Sequence, residues 1–278
     1  MLKKILIALD SSKPGLEAQY QAIEMARAYG ASVTAVGIID TPWITAAQPE
    51  PLGGSAFKIH RDEAVIRQSH EHVRTLFEEF ESSCKSHGIA HTCIEAEGFP
   101  SIVIERLAHE HDLIIMGKTT DFHFDLDEDT DITVKHIARD NPRPLIIVPE
   151  EPENKGGKIL ITKDGSVAAS RALHMFLLLG LAQRQKMEVL SIHKDGELAQ
   201  IIAQRGVHMC EIHGVKASSH IIETSSEESD IILERANSIK ASMIVMGGFS
   251  RSMIKEALFG SCSKRILKDS KIPLFIHH

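Results

Sequence analysis

The sequence predicts an α/β protein: two tandem doubly wound domains, each with a five-stranded parallel sheet flanked by helices. Three observations carry that expectation. Short aliphatic runs alternate with longer helical patterns. The whole alternation occurs twice. A Pro- and Gly-rich stretch, Pro149 to Gly157, separates the two passes. The length agrees, since 278 residues is about two domains at roughly 150 residues each. The boundary is placed at 1–152 and 153–278.

In the first half, strands are expected near 4–9, 32–39, 90–95, 112–117 and 144–148. They are short β-branched or aliphatic runs, as strands buried on both faces should be. Helical patterns lie between them, near 14–29, 57–86, 99–110 and 131–139. The first helix repeats apolar residues at Ala18, Ala22, Met25, Ala26 and Tyr29, a helical spacing. Gly30 and Gly88 stand where a helix C-terminal glycine is expected. The apolar run Met175 to Ala182 is too short to span a bilayer and reads as a buried helix. A strand-helix alternation of this kind folds into a parallel sheet, whose ligands sit beyond the carboxyl ends of the strands.

The second half repeats the first in order. Lys4 to Ser11 matches Lys158 to Gly165. Cys84 to Gly88 matches Cys210 to Gly214, both Cys-x-x-His-Gly. Ile104 to Ala108 matches Leu233 to Asn237, Leu113 to Gly117 matches Met243 to Gly247, and Pro144 to Val148 matches Pro273 to His277. The offset is 154 at the first pair and 126 to 130 at the others. The second half has therefore lost about 28 residues, corresponding to the region around Thr41 to His72. That region is rich in Pro and Gly, so Thr41 to Phe57 is expected to be a long loop that covers the first cleft or receives a ligand there.

Composition excludes several classes. Apolar residues are 43% and charged residues 25%, so a sizeable core is available and a disordered chain does not fit. The formal net charge is −7, which argues against a nucleic-acid or anionic-membrane binder. Four cysteines without a CxxC pair do not make a secreted disulfide scaffold. Asp10 ends the first apolar run too soon for a signal-peptide core. A cytoplasmic protein is expected, with no membrane and no nucleic-acid partner.

After the fourth strand of the second half comes Gly247, then Ser250, then Gly260-Ser261-Cys262 at the start of a helix. A helix N-terminus offers free N–H groups and a positive dipole end, which suits an anion. Glycines at 247 and 260 allow close backbone approach. Ser250 and Ser261 add hydroxyl donors. The chemistry fits a phosphate cradle, and it fits an ordinary glycine turn with a serine cap as well.

The spacing Gly247-x-x-Ser250-(nine residues)-Gly260-Ser261 resembles the Gly-x-x-Gly-x9-Gly-Ser/Thr signature of the universal stress protein family. Asp164, at the end of a first strand, matches that family's acidic residue. The repeat then resembles two such domains in tandem across nearly the whole chain. The resemblance implies ATP, ADP or AMP as cofactor, held in the second half. Asp164 would accept from adenine or ribose groups beside Thr162 and Lys163. Ile192 would meet adenine through its backbone, and Met246 and Gly247 would line the ribose. Ser250, Gly260, Ser261 and Cys262 would face the phosphates. Ser250 departs from the family's glycine. The resemblance also implies that the domains pair through their last strands, Leu145–Val148 and Leu274–Ile276, within one chain, with a homodimer as a further arrangement.

In the first half Asp10 and Gly117 persist, but the loop after Gly117 has no glycine. It carries Asp121, Asp125, Asp127, Glu128, Asp129 and Asp131, which should repel phosphates. Asp131 is expected to cap the next helix in place of Ser261. The alternating aspartates lack the glycine and the final glutamate of a calcium loop. Cys84, His87, His91 and Cys93 have spacings short enough for one tetrahedral ion, but a buried cysteine and a polar helix end explain them without one. No metal ligand is assigned.

Dedicated catalysis is not expected, and no catalytic residue is assigned. The chain has no Gly-x-Gly-x-x-Gly after a first strand, no P-loop and no Gly-x-Ser-x-Gly elbow. The function expected is an adenine-nucleotide-binding stress-response module. Two alternatives remain: an interaction protein with both clefts degenerate, and a slow ATPase.

Overall fold

The computed structural model describes residues 1–46, 55–120, 122, 131–153, 156–183, 185–248 and 261–278. The first half runs β1 (Lys4–Leu9), α1 (Lys13–Tyr29), β2 (Ser32–Ile39), α2 (Thr41–Ile44), α3 (Ser55–His87), β3 (His91–Glu97), α4 (Pro100–Ala108), β4 (Leu113–Gly117), α5 (Asp131–Asp140) and β5 (Leu145–Val148). The second runs β6 (Ile159–Thr162), α6 (Val167–Leu178), β7 (Met187–His193), α7 (Gly196–Ile212), β8 (Ala217–Glu223), α8 (Glu228–Ser238), β9 (Met243–Gly247), α9 (Ser261–Asp269) and β10 (Leu274–His277).

The two five-stranded parallel sheets are not separate. They join into one ten-stranded sheet, in the order β3-β2-β1-β4-β5-β10-β9-β6-β7-β8. Every neighbouring pair is parallel except β5 with β10, which is antiparallel, with Phe275 opposite Ile146. The expected pairing of the last strands is the seam of the molecule.

Strand alternation divides the core into two layers. Ile5, Ile7 and Leu9 face one layer with Ala18, Ala22 and Phe80, so α1 and α3 cover that face. Leu6 and Ala8 face the other with Val103, Ile104, Val134 and Ile137, so α4 and α5 cover it. The second half does the same, with α6 and α7 on the first face and α8 and α9 on the second. The outer strands alternate in exposure, as their polar sequences require: Thr92, Glu95 and Glu97 of β3 reach solvent or its border.

The caps repeat too. Asp10 Oδ1 accepts from Ser12 N and Ser12 Oγ accepts from Gly15 N. In the second half Asp164 Oδ1 accepts from Ser166 N and Ser166 Oγ accepts from Ala169 N. Each turn thus leads its strand into its helix through two side-chain acceptors. Gly30 and Gly88 have φ of +66° and +67°, the left-handed values that end α1 and α3.

Two expectations need correction. Thr41 to Phe57 is not a loop throughout: Asp40 caps the short α2 by accepting from Trp43 N, and α3 already begins at Ser55. Lys58 ties the two by donating to Thr45 O while pairing with Asp62. Residues 47–54 lie outside the described residues. The run Met175 to Ala182 is helical only to Leu178. Gly180, at φ +78°, turns the chain, and Leu179, Leu181 and Ala182 stay buried beyond the helix.

At the seam Phe275 meets Phe176 of α6 edge-to-face, with ring centroids 5.0 Å apart. Phe275→Ala is expected to lower stability by about 3–5 kcal/mol, the usual cost of such a truncation in a packed core. Urea unfolding of the full chain checks it; a loss under 1 kcal/mol would mean that the seam is not tightly packed.

Candidate functional site

The carboxyl ends of β6, β7 and β9 define the candidate cleft of the second half. Asp164 stands at its mouth, exposed. One carboxylate oxygen holds the turn to α6, while Oδ2 has no hydrogen-bond partner among the described residues. Gly165 follows at φ +86°, a conformation that favours glycine. Thr162 is half-buried and its hydroxyl donates to Val245 O of β9 at 3.4 Å, linking the two strands that bound the cleft.

Ile192 and Met246 are buried near the ends of β7 and β9. Gly247 ends β9 opposite His277. Its bareness has a packing cause: a Cβ there would lie 2.4 Å from Ala169 N and 2.7 Å from Ala168 C, within α6. Gly117 has the same cause in the first half, with Gly15 N at 2.7 Å. The lack of a side chain lets each first helix of a half lie directly on its fourth strand.

Ser261 opens α9, whose first N–H groups lack helical partners and can receive an anion. Cys262 is half-buried; burial first, then the carboxylates of Glu228, Glu227 and Asp164, push its thiol up to about 11. Cys262 thus lies within electrostatic reach of Asp164. Ser250 and Gly260 lie outside the described residues.

The Lys163 side chain is on the other face of the sheet. It is 8% exposed and its ammonium donates to Ser170 Oγ of α6 at 2.6 Å. Its stem passes Gly206 of α7. Burial lowers its pKa, and the adjacent Asp164 opposes that. Only the Lys163 backbone, which donates to Leu190 O, borders the cleft.

The sequence reading missed Glu228 and His193. Partial desolvation and the Asp164 carboxylate raise the Glu228 pKa, and His193 opposes them. Glu227 and Asp230 are taken up by Arg265 of α9, at 3.8 and 2.8 Å. The signal was the acidic run Glu227-Glu228 beyond β8, at the sheet edge that holds the other site residues.

The first half differs at the corresponding place. Asp10 is 0% exposed, with Thr120 at 2% and Phe122 at 4%. Ser12 Oγ donates to Thr119 O at 3.1 Å, fixing the segment after β4 against the turn after β1. Lys118, the counterpart of Gly248, sends its ammonium across the seam to the carbonyls of Lys268 and Ser270 at the end of α9. Of the expected acidic loop, Asp131 opens α5, while Asp121, Asp125, Asp127, Glu128 and Asp129 lie outside the described residues.

The histidines of the Cys/His cluster meet nearby backbone carbonyls. His87 and His91 pair through Nδ1 with the carbonyls of Ser83 and Ile89. Burial raises both Cys84 and Cys93 to about 11. Among the described residues, no three His, Cys, Asp or Glu side chains come together to hold a metal ion.

The profile of the universal stress protein family matches residues 1–122 and 157–278. The chain belongs to the universal stress protein family. It is 21% identical over 287 aligned positions to universal stress protein Slr1230 of Synechocystis, covering 98% of this chain and 99% of that one. A universal stress protein from Archaeoglobus fulgidus has a similar structure, with a TM-score of 0.76 at 17% identity, across 99% of this chain and 95% of that one. One from Pseudomonas aeruginosa gives 0.58 at 16% identity, across 99% and 93%. At these identities the structural likeness is one of fold. This universal stress protein carries both copies of the fold in one chain, and no helix among its described residues is long and apolar enough to cross a membrane.

Gly247→Ala is expected to lower stability by roughly 1–3 kcal/mol, because α6 must move off β9 to admit the methyl group. Thermal and urea unfolding check it; an unchanged midpoint would overturn the packing role of Gly247.

Proposed function

We propose that this protein is a tandem universal stress protein that binds one adenine nucleotide, ATP or its di- or monophosphate, in the second of two units, 1–152 and 153–278. The observation that carries the reading is the contrast between the two aspartates. Asp164 is exposed, with Oδ2 unpartnered among the described residues, whereas Asp10 is wholly buried and its turn is held by Thr119. A ligand needing a carboxylate acceptor at the strand ends has access in one half alone.

In this reading Asp164 accepts from the ribose or base, beside Thr162 and the Lys163 backbone. Ile192, Met246 and Gly247 form the floor. Ser250, Gly260, Ser261 and Cys262 receive the phosphates at the start of α9. The protein is a binding module rather than a dedicated enzyme. Four free cysteines, whose buried members stay as thiols, support a cytoplasmic setting.

Titration calorimetry of the full chain with ATP tests the proposal. The expected stoichiometry is one per chain, and Asp164→Ala is expected to weaken binding roughly tenfold or more, as losing a charged acceptor does. Gly260→Glu is expected to weaken it further. Two nucleotides per chain would overturn the account of the first cleft. Absence of binding at millimolar ATP would favour the interaction-protein alternative.

Glu228 gives the site a pH dependence. A raised pKa means that it takes up its proton closer to neutrality than an ordinary carboxyl does. Its charged form repels phosphates, so affinity is expected to rise as the pH falls from neutrality into the acid range. Glu228→Gln is therefore expected to bind more tightly at neutral pH and to flatten the profile. An unaltered profile in that variant would remove Glu228 from the site.

A further inference from the structure

A pocket of about 680 Å³ lies along α6, beginning at Gly165 and Ser166 just beyond Asp164. Its size is within the range of small-molecule sites. None of the ten residues assigned to the nucleotide lines it, and no lining side chain is a carboxylate. Among the described residues Arg171, on its wall, takes part in no ion pair.

Along the helix, Ser166, Val167, Ser170 and Arg171 line the N-terminal part, and His174, Met175 and Leu178 the C-terminal part, with Met209 of α7. At about 1.5 Å per residue the stripe from Ser166 to Leu178 is about 18 Å long. The N-terminal part coincides with the carboxyl end of β10, which contributes His277 and His278. His277 is nine-tenths buried, yet its Nδ1 meets no hydrogen-bond partner among the described residues. Burial, with His278, Arg171 and Arg143 nearby, lowers its pKa to about 4, so the ring is neutral at pH 7 in a cationic neighbourhood. A buried imidazole nitrogen without a partner is costly, and the N-terminal end of α6 adds its own positive dipole.

The pocket along α1 in the first half differs in charge: Glu17 and Glu24 of α1 and Glu153 of the connecting segment line it. The same architecture thus presents an acidic wall in one half and a cationic one in the other.

We propose that the α6 pocket binds a small anionic amphiphile, its acidic group held by Arg171 and the histidines and its apolar body laid along Met175, Leu178 and Met209. The site is separate from the nucleotide cleft and does not depend on it. The test follows the methyl resonances of ¹³C-methyl-methionine-labelled full chain, assigned with Met175→Leu and Met209→Leu, during titration with octanoate, octyl phosphate and 1-octanol. Saturable shifts of Met175 and Met209 are expected with at least one of the two acids, and the tighter acid identifies the preferred head group. Arg171→Gln is expected to weaken that acid at least tenfold. Arg171 is exposed, so the variant is expected to keep the wild-type spectrum before titration. Saturable shifts from neither acid, equal binding of 1-octanol, or unchanged affinity in Arg171→Gln would each overturn the proposal.

Discussion

The antiparallel pairing of β5 with β10 is the interaction on which the rest of the structure depends. Each strand is the last of its half, and each is apolar on both faces: Leu145 to Val148 and Leu274 to Ile276 are all buried. An unpaired edge of this kind would offer open hydrogen-bonding groups and apolar side chains to any other chain. Pairing the two removes both edges at once. It leaves β3 and β8 as the outer strands, whose alternating polar residues suit a sheet border. Once the seam is set, α1 and α6 must lie side by side on one face. The contacts follow: Tyr29 Oη donates to Leu181 O, Leu2 N to Leu179 O, and the Lys118 ammonium reaches the end of α9.

The same seam explains why two copies of one fold diverge. Equivalent positions in the halves no longer meet equivalent surroundings, because the connecting segment runs from β5 over α1 on one side only. Glu150 pairs with Lys13 there, and Glu153 N donates to Lys271 O. Gly248 and Lys118 show the result at one residue pair. Both backbone N–H groups donate to the neighbouring last strand, at 2.7 Å to His277 O and Val148 O. Lys118 then uses its side chain to fasten the halves, whereas Gly248 has none and lies against Ile276 and His278.

How much was legible in the sequence follows from how local each signal is. Strand and helix positions came through because buried parallel strands are unbroken aliphatic runs and glycines such as Gly30 and Gly88 mark helix ends. The repeat exposed the topology, and with it the sheet edge where a site should lie. Short-range capping was less visible: α2 depends on Asp40 accepting from Trp43 N, which overrides the loop signal of the prolines around it. Side-chain direction at a strand end was also hidden. Lys163 follows β6 beside Asp164, yet its ammonium is carried to the opposite face and held by Ser170. Glu228 enters from a different strand-helix connection, so no spacing in the sequence links it to Asp164. Gly247 shows the opposite case: the glycine was evident, but its cause, the backbone of α6 at 2.4 Å, is a long-range contact that no local pattern contains.

These long-range contacts also bear on how far a motif can be trusted as a sign of function. Asp10 and Asp164 close the same turn with the same hydrogen bond of 2.8 Å, and both precede the same serine cap. By motif they are equal. They differ in what lies above them. Ser11 follows Asp10 without a left-handed φ, and the segment after β4 folds down onto the turn through Ser12 and Thr119. Gly165 takes φ +86° after Asp164, which stays open to solvent. The aspartate is therefore first a fold element, needed wherever this strand runs into this helix. A strand-end aspartate is thus not by itself the mark of a ligand site: at the same turn Asp10 is wholly buried and Asp164 is exposed.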